Sequence, residues 1–203
     1  MIDSQDAPAQ LPGYREAYRW DMRVHRRTLI RVSLLGLLVV PLVYIGFARL
    51  AVWISPQVRL SYGFEGRQIF WTLLAIALGM VLMVVLHEGT HGVFMILFRA
   101  KPQYGVDWEH GVVYATSHGH AFTRNQFIVV ALAPVLVVSG LGLLPFIWPL
   151  PGPLVTGLLT MLAFNFVGAV GDAWMTGMCL RYPASARVVD ERYGIKVFMQ
   201  EKE

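Results

Sequence analysis

The residues His87-Glu88-Gly89-Thr90-His91 form an H-E-x-x-H motif, which is the clearest chemical signal in the chain. On a helix, positions i and i+4 lie about one turn apart on one face, so His87 and His91 can offer two imidazoles to one metal ion. Glu88 lies beside them, where it can act on a water molecule rather than as a ligand. The motif therefore predicts a hydrolytic metal site, and the competing interpretation is a set of ordinary polar residues at a helix end.

A catalytic zinc site usually needs three protein ligands, so the motif requires a partner from elsewhere in the chain. Asp172 is the most costly ionisable residue in the other apolar segments. At about 1.5 Å per residue, His87 and Asp172 would lie at nearly the same depth, roughly 27–29 Å from the outer ends of their segments. We therefore predict Asp172 as the third ligand. The alternatives in the polar loop are Glu109, His118 and His120.

Asn165 is a further polar residue in the same apolar segment as Asp172. It lies seven residues earlier, which is about two helical turns and therefore the same face. Its amide could donate a hydrogen bond to an oxyanion during catalysis, and the alternative is a hydrogen bond between helices. The predicted ligand set of two imidazoles and one carboxylate suits Zn²⁺, and it also accommodates Fe(II), Co(II) or Mn(II).

Long apolar segments must position these residues. The 203-residue chain is 56% hydrophobic and only 15% charged, and its apolar residues are gathered in runs that approach or exceed the length of about 20 residues needed to cross a bilayer. We predict an all-α integral membrane protein with about four transmembrane helices, near 28–54, 68–98, 126–148 and 154–180. The prolines of 149–153 separate the last two, because successive prolines cannot continue a helix.

The segment between the second and third predicted spans has a different composition. Residues 104–116 are rich in β-branched and aromatic side chains and are interrupted by glycine. This composition predicts a short β-hairpin with a turn at Glu109-His110-Gly111, and the alternative is an irregular loop. A hairpin here could pair with an extended stretch of substrate, as exposed strand edges do.

The two ends of the chain are polar and flank the predicted membrane domain, 28–180. We interpret 1–27 as an N-terminal arm, without the small-residue cleavage site of a signal peptide, and 181–203 as a tail. Lys and Arg number 13 in the arm, the tail and the flanks of the hairpin-like segment, against 3 on the other side. Because cytoplasmic segments carry the excess of positive charge, we predict a multi-pass protein of the cell membrane with both termini in the cytoplasm.

Charge and cysteine content exclude other classes of protein and site. The net charge of +4 does not indicate nucleic-acid binding, because the basic residues lie mostly at the ends of apolar runs and form no stripe with aromatic residues. The single cysteine, Cys179, excludes an internal disulfide and a cysteine-based zinc site. The predicted partners are the lipid bilayer and a membrane protein or peptide substrate.

The order of these features resembles the membrane-embedded, site-2-protease-like zinc peptidases. It is more similar to the small bacterial zincin peptidases once grouped as a domain of unknown function, DUF3267. The similarity covers roughly 70–180 and is carried by the H-E-x-x-H motif, by 127–134 and by Asn165 through Gly171-Asp172. It implies a zinc ion held by the two motif histidines and Asp172, with Glu88 as the catalytic residue. The chain departs from typical site-2 proteases in having no glycine directly after the aspartate.

The leading functional hypothesis is hydrolysis of peptide bonds in membrane-associated substrates by an activated water, with Glu88 moving the proton. The rival is a non-catalytic metal-binding or transport-associated membrane protein that holds an ion at the same residues. A transporter would be expected to have further polar residues along a path, yet the third predicted span has only Ser139 beyond its first turn. That sparseness favours a single site.

Overall fold

The computed structural model describes residues 11–58, 66–109 and 112–201. The first ten residues of the predicted arm and the last two of the predicted tail lie outside this part of the chain. The described helices are α1 (Arg26–Ile54), α2 (Arg67–Leu97), α3 (Arg124–Leu143), α4 (Gly152–Gly168) and α5 (Val170–Cys179), with a 3₁₀ turn at Leu144–Ile147. The described strands are β1 (Tyr14–Asp21), β2 (Gln103–Asp107), β3 (Val112–Thr116), β4 (Ala121–Thr123), β5 (Arg187–Glu191) and β6 (Gly194–Gln200).

In the described part of the chain, four helical segments are long and apolar enough to cross a membrane. They are Ile30–Ile54, Arg67–Leu97, Arg124–Ile147 and Gly152–Cys179. Their bounds lie within a few residues of the sequence-based ones, because apolar runs of this length dominate local structure. The fourth segment is two helices instead of one: the chain turns at Ala169, where φ is −71° and ψ is 0°, and α5 begins with the turn that carries Asp172.

The expectation of an all-α protein is wrong, because both ends of the chain contribute to a β-sheet. Four antiparallel strands lie in the order β1-β6-β5-β4. The N-terminal arm pairs with the tail from Tyr14 opposite Gln200 to Asp21 opposite Gly194. Three of the four strands carry charged residues, and strand preference depends strongly on the neighbouring strand. Because β1 pairs with a strand from the opposite end of the chain, its own residues do not distinguish a paired strand from a polar tail.

The inner face of this sheet packs against the helices. Trp20 of β1, Phe122 of β4 and Val188 of β5 are buried in one cluster with Met95 of α2 and Phe127 of α3. Met95 lies one helical turn beyond His91, so the cluster attaches the sheet to the end of α2 that carries the motif. The sheet therefore covers the helix ends around the predicted site.

Helices α2 and α4 make a close contact through glycine on both sides. A Cβ on Gly157 would lie 2.8 Å from the backbone oxygen of Ala75, and a Cβ on Gly79 would lie 3.0 Å from the oxygen of Gly157. Small residues permit such an approach between membrane helices. His87 and Asn165 each follow their glycine by eight residues. Because the two helices run in the same direction, this contact brings those two side chains to the same depth.

Strands β2 and β3 pair antiparallel between α2 and α3, from Gln103 opposite Thr116 to Asp107 opposite Val112. They lie in the segment where the sequence predicts a hairpin, although His110 and Gly111 of the predicted turn lie outside the described residues. Gly92, directly after His91 in sequence, makes room for the Tyr104 hydroxyl of β2, because a Cβ at Gly92 would overlap that oxygen. This contact seats the strand pair against α2.

Candidate metal centre

His87, His91 and Asp172 meet in the structure, with one ligand atom from each residue lying within 4.8 Å of the others. Oδ2 of Asp172 is 3.3 Å from Nε2 of His87 and 3.6 Å from Nε2 of His91. In a tetrahedral site with ligand bonds of about 2.1 Å, neighbouring donor atoms lie about 3.4 Å apart. Both imidazoles are buried. The two distances from Asp172 to the histidines therefore match those of a four-coordinate metal site.

The second ring nitrogen of each histidine has an oxygen acceptor. Nδ1 of His87 lies 3.1 Å from Oδ1 of Asn165, and Nδ1 of His91 lies 2.9 Å from the backbone oxygen of Val130. A neutral imidazole that donates through Nδ1 presents a lone pair at Nε2, which is the arrangement of a metal-binding histidine. Both Nε2 atoms then face the Asp172 carboxylate, where they can either donate a proton to it or share a metal ion with it. The donor chemistry therefore fits a divalent metal ion such as zinc.

Asn165 is fully buried on α4 and has hydrogen-bond partners on both sides of its amide. Nδ2 donates to the backbone oxygen of Pro134 at 3.3 Å and to Oγ of Ser139 at 3.2 Å. These acceptors orient the amide so that Oδ1 faces His87. Because both N–H groups are engaged inside the protein, the geometry favours a positioning role for Asn165, and its role as an oxyanion donor stays a prediction.

The backbone oxygen of Val130 is available to His91 because of a proline in α3. In a regular helix this oxygen would accept a hydrogen bond from the N–H four residues later. That position is Pro134, which has no N–H. Pro134 belongs to the segment 127–134 that carries part of the family resemblance, but its sequence alone does not predict this function. The proline thus determines, through a missing helix hydrogen bond, how a metal-binding histidine is held.

Glu88 lies beside the three converging side chains and lines the same cavity. Its carboxylate accepts a hydrogen bond from the backbone N–H of Ala115 in β3. Since β3 pairs with β2 on its other side, this N–H must point away from β2. The free edge of β3 therefore faces the predicted catalytic residue.

The alternative third ligands lie elsewhere. Glu109 and His118 are exposed, and the ring of His120 packs on Phe122 with centroids 4.5 Å apart. Within residues 11–58, 66–109 and 112–201, the group of His, Cys, Asp and Glu side chains that could hold a metal is the motif pair with Asp172. Asp172, which was predicted from its depth in the membrane, is thus the residue that lies beside the two histidines.

A cavity of about 240 Å³ opens onto this centre. One wall is β3, and the other includes Asp190–Gly194, which connects β5 to β6. The Tyr193 hydroxyl donates to Oδ2 of Asp107 at 2.7 Å, and Nη2 of Arg192 lies 3.4 Å from the same oxygen. These contacts tie the β5–β6 turn to the end of β2. These residues belong to the segment 181–203, which was predicted to be a separate tail, so the predicted site did not include this wall.

Comparison with known proteins supports the same region. A family model, DUF3267, described as "Putative zincin peptidase", matches residues 80–187, which include every residue predicted for the site. An "Uncharacterized 24.7 kDa protein in gap 5'region" from Pyrococcus woesei is 27% identical over 176 residues, covering 86% of this chain and 70% of that protein. No solved structure gives a significant match.

Proposed function

Because this chain belongs to the DUF3267 family of zincin-type peptidases, we propose that it is a membrane-embedded zinc metallopeptidase that hydrolyses peptide bonds of membrane-associated proteins. The observation that carries the proposal is the convergence of two Nε2 atoms and one carboxylate oxygen beside a glutamate in one cavity. An ordinary cluster of polar residues would not need this orientation of both histidines.

The three ligands would be His87, His91 and Asp172, in the two-imidazole, one-carboxylate set that catalytic zinc sites use. Zinc, when bound, supplies Lewis acidity that lowers the pKa of a water molecule and polarises a substrate carbonyl. Asn165 holds His87 and the carbonyl of Val130 holds His91, so both imidazoles are oriented before any metal arrives.

Glu88 is the proposed general base and acid. Its carboxylate takes a proton from the attacking water while the water oxygen bonds to the scissile carbonyl carbon. It then delivers that proton to the nitrogen as the C–N bond breaks, so the amine product leaves neutral and the acid product keeps the new oxygen. The hydrogen bond from the Ala115 N–H holds the carboxylate toward the cavity.

The free edge of β3 is the proposed docking strand for substrate. In an antiparallel pair, alternate residues direct both backbone groups to the same side, so Val113 shares the orientation of Ala115. A transmembrane helix has its carbonyls satisfied internally and must be unwound to be cut, and an extended segment regains hydrogen bonds by pairing with a strand edge. Val113 and Ala115 both line the cavity.

The proposed orientation places 1–27 and 181–203 in the cytoplasm around a membrane domain, 28–180, of a bacterial-type plasma membrane. The 13 to 3 distribution of Lys and Arg supports it. The sheet built from both termini then lies on the cytoplasmic side and covers the metal centre, so water and substrate reach the centre from that side.

The test of catalysis is the Glu88→Gln variant in a cleavage assay with model membrane substrates. We expect loss of cleavage by at least 100-fold, on the order of the general-base contribution, with zinc content unchanged. Gln keeps the size of the side chain, so folding is preserved. If wild-type protein binds zinc but cleaves no substrate in a broad peptide and membrane-protein panel, the rival function as a non-catalytic metal-binding protein replaces the peptidase proposal.

A further inference from the structure

The inner face of the four-stranded sheet carries a carboxylate among apolar side chains. Asp190 follows Val188 by two positions in β5, so both side chains are directed to the same face, toward the helices. Five other residues of this face are apolar and buried: Trp20, Phe122, Val188, Ile195 and Val197. A carboxylate in such a setting costs free energy unless a cation or several donors compensate it.

Asp190 lines the metal-site cavity and has little compensation there. The hydroxyl of Thr116 donates to the backbone oxygen of Asp190 at 3.3 Å and lies beside its carboxylate. In the described part of the chain no Lys, Arg or His forms an ion pair with Asp190, and the charge of His91 favours its ionised form from a distance. Removal from bulk water raises the pKa of Asp190 to about 7. The proposed catalytic steps do not use this residue, so its position requires another explanation.

The other charged side chains that the β5–β6 turn contributes to the cavity already have partners. Glu191 forms an ion pair with Lys196, and Arg192 lies against Asp107. The cavity therefore presents Asp190 as the acidic group that is left for a ligand.

The geometry points to a role in specificity: we propose that Asp190 binds a lysine or arginine side chain of the substrate, adjacent to the scissile bond. The inference rests on the proposed peptidase function and names its substrate class. The backbone N–H of Ala115 donates to the Glu88 carboxylate, and the hydroxyl of the next residue, Thr116, donates to the backbone oxygen of Asp190. Glu88 and Asp190 thus meet successive residues of the docking strand in one cavity, which places Asp190 beside the position of the scissile bond.

A structural or proton-transfer role would make a different prediction. In either case, replacing Asp190 would alter the cleavage of all substrates by the same factor. A specificity role alters the ratio between substrates, and a ratio measured within one variant is independent of its folded fraction. The ratio is therefore the quantity to measure.

The experiment uses zinc-loaded full-length protein in detergent and ten-residue peptides that differ in one scanned position, which is lysine, norleucine or glutamate. Cleavage is quantified by mass spectrometry. At the best position we expect wild type to prefer lysine over norleucine by about tenfold or more, the effect of one charge-assisted hydrogen bond. Asp190→Asn should bring this ratio close to one, and Asp190→Lys should shift the preference to glutamate. Glu191→Gln, which alters the neighbouring paired carboxylate, should keep the wild-type ratio.

Binding of the same labelled peptides to zinc-loaded Glu88→Gln protein, followed by fluorescence anisotropy, separates the two proposals. One outcome is that wild type cleaves no peptide, while Glu88→Gln protein binds lysine peptides selectively and loses this selectivity when Asp190→Asn is added. That outcome refutes the peptidase function and retains the binding of a cationic side chain by Asp190. Cleavage without lysine preference, or an equal ratio in wild type and Asp190→Asn, overturns the subsite and leaves the peptidase function standing. Absence of both cleavage and selective binding overturns both.

Discussion

Replacing Asn165 tests how the metal centre is held. In the structure Oδ1 of Asn165 accepts from Nδ1 of His87 at 3.1 Å, while its Nδ2 is anchored by Pro134 and Ser139. Asn165→Ala removes the acceptor that orients the imidazole. Loss of such a partner of a metal-binding histidine typically weakens metal affinity by about 10–100-fold, or roughly 1.4–2.7 kcal/mol. The two anchoring acceptors, on Pro134 and Ser139, also lose their donor, which lowers the free energy of unfolding by about 1–3 kcal/mol.

Two further variants separate positioning from oxyanion stabilisation. Asn165→Asp keeps an acceptor for the His87 N–H and has no amide donor, so a positioning role predicts zinc affinity within about tenfold of wild type. Ser139→Ala is the matched control, because it removes one of the two hydrogen bonds of the Asn165 Nδ2 and leaves Oδ1 in place. We expect zinc affinity to change by about threefold or less, since the hydrogen bond to the Pro134 oxygen remains. Both are compared with Asn165→Ala by competition with a zinc-binding dye in detergent.

The result that would refute the positioning role is specific. If Asn165→Ala binds zinc as tightly as wild type while its kcat falls about 100–1,000-fold, the amide acts on the reacting substrate as an oxyanion donor. Weak zinc binding in Asn165→Ala that Asn165→Asp restores supports positioning.

Three other perturbations have definite expected outcomes. Pro134→Ala restores the helix hydrogen bond to the Val130 carbonyl, which then competes with His91 for this acceptor. We expect zinc affinity to fall by about 10-fold or more and thermal stability to be unchanged or higher. Unchanged zinc affinity would contradict this role of Pro134. Gly92→Val would drive a side chain into the Tyr104 hydroxyl, so we expect a lower melting temperature and impaired cleavage, and Gly92→Val with Tyr104→Ala should recover part of both. Because the pKa of Asp190 is raised from 3.8 to about 7, folded metal-free protein binds more protons than unfolded protein between these values. Its free energy of unfolding should therefore fall as pH rises through that window, and denaturant titrations should show this slope reduced in Asp190→Asn.

Much of the site could be predicted from helix geometry. The i, i+4 spacing of His87 and His91 places both on one helix face in any context. The depth of Asp172 follows from a constant rise per residue, and the structure brings it to the histidines as that estimate requires. Such inferences hold because long apolar runs favour membrane-spanning helices, and the turn at Ala169 lies only three residues before Asp172.

The parts that could not be predicted depend on contacts between distant segments. Residues Tyr14, Tyr18 and Trp20 alternate with Arg15 and Arg19, a strand pattern that sequence analysis interpreted only as positive charge. Its partner strand, β6, lies at the other end of the chain, so this pairing has no local signature. The wall of the cavity and the position of Asp190 depend on the hairpin of β5 and β6, which lies in the predicted polar tail. Likewise, the importance of Pro134 becomes visible only when His91 is seen to occupy the freed carbonyl.

The most direct test of the metal centre is the metal content per chain of purified, detergent-solubilised protein, measured by mass spectrometry of the elements. Wild type, His87→Ala and Asp172→Ala are compared after confirming by circular dichroism that each is folded. We expect about one zinc per wild-type chain and loss of zinc in both variants. Folded wild-type protein that takes up no metal, or an Asp172→Ala variant that keeps its zinc, would contradict the three-ligand centre on which the proposed function depends.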